Sequence, residues 1–139
     1  MRLGLALSDE TRTIASPHAT WARRGLTRDL VQLQELVAQA EVGAVVIGLP
    51  LRMDGTAGSE AAAARAFGAR VAAALPVPVS FADERLTTAA AERALLAAGA
   101  SRAARRASGD QVAAALLLQT VLAREPDAGR TPAQRGGPR

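Results

Sequence analysis

The stretch that most constrains this chain is Ala44-Val45-Val46-Ile47-Gly48-Leu49, which contains no polar side chain. An uninterrupted apolar run of strand length is expected of a strand buried on both faces, and such strands belong to parallel sheets covered by helices. A Gly/Pro-punctuated loop, Pro50–Gly58, follows it. Next comes a helical pattern over Ser59–Leu75 with Ala63, Phe67, Val71 and Leu75 on one face, then a strand over Val77–Phe81. This is a βαβ unit with parallel strands. Open α/β sheets hold their ligands outside the carboxyl ends of the strands. At that end the second strand runs into Asp83-Glu84-Arg85-Leu86-Thr87-Thr88, two carboxylates and a guanidinium.

On the N-terminal side, Arg2–Ser8 alternates as a strand should. Asp9–Arg12 is a polar connection, and Thr13–Ser16 is the expected return strand of a hairpin, closed by Pro17. Leu26, Leu30, Leu33, Leu36 and Val37 recur at helical spacing, which predicts a helix from Thr27 to about Ala40. A third helix is expected over Thr88–Ala98. Ser108-Gly109-Asp110-Gln111 has the form of a capping box, with Ser108 as N-cap, and opens a last helix whose buried face is Ala113, Ala114, Leu117, Leu118 and Val121. The domain is expected to occupy 1–124, with a disordered basic tail over 125–139.

All seventeen basic residues are arginine and the formal charge is +4, so nucleic acid is a natural partner. A GC-rich genome that encodes Arg for Lys accounts for the same bias. The absence of cysteine excludes disulfides and thiolate metal sites. No apolar run approaches the ~20 residues of a membrane span, and a cytoplasmic location is expected.

Asp83 and Glu84 at a strand end and Asp110 at a helix start are the oxygen donors that Mg²⁺ or Mn²⁺ requires. Paired ions held by such carboxylates stabilise both oxygens of a phosphodiester under attack. On pattern alone a surface ion pair with Arg85 or Arg93 is the simpler explanation of Asp83 and Glu84, and the helix macrodipole alone favours Asp110. His18, the single histidine, sits beside Pro17 in an expected turn and reads as structural. The loop between Gly48 and Gly58 lacks the Lys-Ser/Thr of a P-loop. Its backbone N–H groups could still meet phosphate.

Four segments in order across 2–122 are similar to motifs of the YqgF/RuvX family, the Holliday-junction-resolvase-like proteins also described as pre-16S rRNA nucleases. They are Arg2–Asp9 with Ala15-Ser16-Pro17, Val46–Thr56, Asp83–Thr88 with Ala91-Glu92, and Asp110–Gln119. The resemblance implies an α/β, RNase H-like fold with a five-stranded mixed sheet flanked by helices. It implies a metal-dependent nuclease whose acidic cluster comes from three places. Two of them map here, as the catalytic, metal-holding Glu84 and Asp110, with Asp83 able to assist. Arg52, Arg85, Arg102, Arg105 and Arg106 would position the nucleic-acid backbone. The third place is an Asp-x-Gly strand, central in the sheet, which in the family directly precedes the segment matching Arg2-Leu3-Gly4. That first strand is not matched by any segment of this sequence, and it is expected to be the piece that is missing. Either translation starts upstream, or the chain lacks a central strand and is expected to be inactive and poorly stable. The activity expected is 5′-end processing of pre-16S rRNA by a monomer or homodimer. The alternatives are a resolvase of branched DNA and, if the N-terminus is as numbered, a non-catalytic nucleic-acid-binding module.

Overall fold

The computed structural model describes residues 2–52, 54–97 and 109–124. Their elements are β1 (Arg2–Ser8), β2 (Ala15–Ala22), α1 (Leu26–Gln39), β3 (Val45–Leu49), α2 (Ser59–Ala74), β4 (Val79–Asp83), a 3-10 turn (Glu84–Leu86), α3 (Ala89–Ala97) and α4 (Gly109–Arg124). The expected mixture of antiparallel hairpin and parallel βαβ unit is present. Among the described residues the strands form two two-stranded sheets, β1-β2 and β3-β4. They fall into two compact units, one of 2–23 with 86–97 and 109–124, the other of Arg24–Arg85. The expected tail, Ser108 and Arg102, Arg105 and Arg106 lie outside the described residues.

In the first unit β1 and β2 pair antiparallel, and α4 lies over both while α3 packs on α4. Ala15, Ala115 and Leu122 form the core, with Ala6, Leu116 and Leu118 around it. The return strand differs from expectation, because β2 runs straight through Pro17 and His18. Leu5 pairs with Ala19 and Ala6 with Pro17, so His18 is the extra residue of a β-bulge. A bulge relaxes the ladder locally, which is where a strand accommodates a residue that has no N–H to donate. His18 is therefore an exposed bulge residue in a strand and not part of a turn.

The buried face of α4 also differs. Ala115, Leu117, Gln119, Thr120 and Leu122 are buried, while Ala113 is exposed. A helix apolar on every side gives no contrast from which to choose a face. Gln119 is the polar member of this interior. Its Oε1 accepts the Ala15 N–H at 2.9 Å and its Nε2 donates to the Thr13 carbonyl at 3.0 Å, so one amide completes the backbone of the hairpin where β2 begins.

The second unit is the βαβ arrangement. Strands β3 and β4 are parallel, from Val45 opposite Val79 to Leu49 opposite Asp83, and α2 packs on both. Val37, Val71 and Leu75 form its core with Leu33, Ile47, Phe67 and Val79 among the residues around them. The inner stripe of α2 is Ala61, Gly68 and Val71, and Ala63 faces solvent. Gly68 belongs to it because the Phe81 ring fills the space of a side chain there, with Cε1 2.6 Å from where a Cβ would stand. Helix α1 begins after Gly25, at φ 105°, without a side-chain cap. Buried Asp29 reaches back to accept the Arg24 N–H at 3.1 Å, bringing an acid to the positive end of the helix.

Gln119→Leu keeps the volume of the side chain and strands the Ala15 N–H and the Thr13 carbonyl. The expected result is a loss of about 2–4 kcal/mol of unfolding free energy in urea denaturation.

Candidate active site

The carboxyl end of the β3-β4 pair gathers the acidic and basic side chains of the second unit. Because Leu49 and Asp83 are register partners, the loop after β3 and the turn after β4 leave the sheet side by side. Asp83 ends β4. Its Oδ1 accepts the Arg85 backbone N–H at 2.9 Å and Nε at 3.1 Å, and its Oδ2 accepts Nη2 at 2.6 Å. The surface ion pair and the strand-end placement read from the sequence are thus both present. The Arg85 side chain, followed by its backbone N–H, holds the Asp83 carboxyl below the ordinary carboxylate range.

Glu84 opens the 3-10 turn and has the opposite electrostatics. Partial desolvation, then the carboxylates of Glu60 and Asp83, push its carboxyl up. Arg85 pairs with Asp83, and among the described residues no ion pair is formed by Glu84. Glu60, in the first turn of α2, went unnoticed in the sequence because nothing about a helix-start acid shows that it will face a strand end. Arg52 and Asp54 stand on the loop after β3. There Asp54 Oδ1 accepts the Thr56 N–H at 2.9 Å and its hydroxyl at 2.7 Å, which braces the turn.

Asp110 lies in the first turn of α4, in the other unit, and is 3.3 Å from Arg2 Nε. Its position is set by Gly4. A Cβ on residue 4 would overlap the Asp110 carbonyl and stand 2.8 Å from its Cβ. Glycine inside a strand signals close backbone approach, which was the available clue. Asp9, the other acid near the N-terminus, is consumed by the hairpin loop, where its Oδ1 accepts the N–H groups of Thr13 at 2.7 Å and Ile14 at 3.1 Å.

Among the described residues no three Asp, Glu, His or Cys side chains come together as an ion would require. The donor chemistry nevertheless suits a hard cation. The carboxylates are oxygen donors, and a nearby positive charge would favour the ionised form of Glu84 against the burial and like charge that raise it. No described helix is long and apolar enough to cross a membrane.

A family model described as RuvX, Holliday junction resolvase, matches residues 1–124. A protein of Cereibacter sphaeroides is 45% identical over 128 residues, covering 92% of this chain and 80% of its own. One from Syntrophomonas wolfei is 44% identical over 97 residues, 70% of this chain and 69% of its own. One from Anaeromyxobacter dehalogenans is 46% identical over 97 residues, 70% and 71% respectively. All three carry the name "Putative pre-16S rRNA nuclease".

Because its carboxyl is raised on folding, Glu84 detracts from stability once it ionises. Stability is retained below the ordinary glutamate range and declines as pH rises through the folded value. Glu84→Gln is accordingly expected to raise the urea midpoint at neutral pH, with the gain vanishing under acid conditions. A gain that persists unchanged in acid would remove the electrostatic explanation.

Proposed function

This chain belongs to the RuvX family, and from that premise we propose that it is a divalent-metal nuclease acting at the 5′ end of pre-16S rRNA. The observation that carries the reading is the end of the β3-β4 pair, where the unneutralised Glu84 carboxylate stands beside an arginine-bearing loop within a chain matched over 1–124. The names carried by the relatives supply the substrate.

Glu84 and Asp110 are the residues that would hold the ion, Mg²⁺ or Mn²⁺. Asp83 could join them only by releasing Arg85, since both of its oxygens accept from that residue. When bound, such an ion supplies the Lewis acidity that withdraws charge from the scissile phosphate and acidifies the attacking water. The protein's own contribution is to place the carboxylates. Gly4 lets α4 bring Asp110 to the edge of β1, and the Asp83–Arg85 pair stiffens the turn that presents Glu84. Arg52 offers positive charge to the nucleic-acid backbone, and Arg85 could do so by exchanging its contact with Asp83 for one with phosphate. An Asp-x-Gly strand ahead of Arg2, which the family resemblance implies, would add a third carboxylate. A cytoplasmic location is part of this reading.

The family description, Holliday junction resolvase, favours a second substrate, the four-way DNA junction. A cleavage panel of a pre-16S rRNA leader transcript against a four-way junction, with Mg²⁺, Mn²⁺ or EDTA, separates the two. It should be run on the chain as it stands and on one lengthened upstream. Preferential metal-dependent cleavage of the leader is expected, falling to background in Glu84→Gln and in Asp110→Asn. Wild-type rates in either variant remove that residue from the mechanism. Binding without cleavage under every condition makes the protein a nucleic-acid-binding module.

A further inference from the structure

The loop after β3 closes on itself through the Gly55 N–H to the Arg52 carbonyl, 2.8 Å, and the Arg52 N–H to the Thr56 carbonyl, 3.0 Å. Two of its glycines have different reasons to be glycine. Gly55 has φ +88°, a left-handed conformation that side chains disfavour. Gly58, at φ −102° and ψ −165°, is extended backbone that any residue adopts. The demand there comes from Arg52. A Cβ on residue 58 would stand 2.8 Å from Arg52 Nε, 3.0 Å from Nη2 and 3.2 Å from Cζ. The guanidinium occupies the place where a side chain at 58 would be.

Arg85 borders the same loop, with Nη1 and Nη2 each 3.6 Å from the Cβ position of Gly55. Its charge is already balanced by the bidentate contact with Asp83. To meet a phosphate it would have to give up that contact and leave a carboxylate facing an anion. Arg52 gives up nothing, since among the described residues its guanidinium forms no ion pair.

We propose that Gly58 is a positioning residue: by omitting a Cβ it seats the Arg52 guanidinium over the loop, where Arg52 contacts a backbone phosphate of the bound nucleic acid. The proposal rests on the nuclease reading for its ligand and adds to it the residue that aims the phosphate contact. Adding a side chain at 58 pushes only the far end of a flexible arginine, so the fold is spared while the contact is lost. Serine is the better probe, because it suits the position before α2 at least as well as glycine.

The test is binding of a fluorescein-labelled RNA hairpin, with a labelled four-way DNA junction as a parallel arm. The full chain is measured in EDTA by anisotropy over a series of KCl concentrations. One phosphate contact contributes about one to the slope of log K against log salt. Arg52→Gln, Gly58→Ser and Gly58→Ala are each expected to lower the slope by about one, and Arg52→Gln with Gly58→Ser to lower it no further than either alone. Melting temperature should be unchanged in Gly58→Ser. Wild-type slopes in both Gly58 variants, or effects that add in the double variant, overturn the positioning role and leave the nuclease reading intact. Failure of the wild-type chain to bind either probe overturns both.

Discussion

Helix α4 rests on β1 at a point where residue 4 has no side chain, and much of the first unit depends on that contact. With the two backbones this close, Asp110 stands beside the strand and Arg2 reaches it, while Ala6 and Ala15 meet Ala115 farther along. The core of this unit is built mainly from alanine and leucine, and small residues let a helix approach a sheet closely. What they do not supply is volume to specify one register. The Gln119 amide supplies that specificity, because only one placement of α4 satisfies both the Ala15 N–H and the Thr13 carbonyl.

The second unit solves a different problem. Its sheet end carries Asp83, Glu84 and Arg85 in succession, with Glu60 acting on Glu84 from the first turn of α2. Pairing Asp83 with Arg85 leaves Glu84 next to Glu60, with no ion pair of its own among the described residues. A neutralised pair adjacent to an unneutralised carboxylate is a division of labour between structure and chemistry. The first member holds the turn; the second retains the electrostatic tension that a ligand can discharge.

Much of this was legible in the sequence, and the residues explain where legibility ended. Val45–Leu49 is apolar on both faces, so the parallel βαβ unit could be read directly, and with it the placement of Asp83 and Glu84 at a strand end. Beta strand β2 was truncated because Pro17 normally terminates a ladder, and a bulge that tolerates it has no local signature. In α4 and α2 the abundance of alanine removes the polar contrast from which a buried face is chosen, so Ala113 and Ala63 were placed inside while Gly68 was overlooked. The Arg2–Asp110 pair and the seating of Arg52 over Gly58 join residues whose proximity only the fold creates. The grouping of functional residues was visible as an ordered set of motifs; their partners were not.

The bulge at His18 has a consequence for how this hairpin can vary in length. Upstream of it, Ala15 and Pro17 share a face with Ala6; downstream, Thr20 and Ala22 share that face with Gly4 and Arg2, and Trp21 lies opposite beside Leu3. The odd-even phase of β2 therefore changes at residue 18. Removing His18 would restore a regular ladder and leave every other cross-strand pair as it is. Removing a residue elsewhere in β2 would turn the strand over on one side of the gap. His18 contributes a count to the hairpin and no cross-strand pair, which makes it the position where the strand can lose a residue and keep its reading frame.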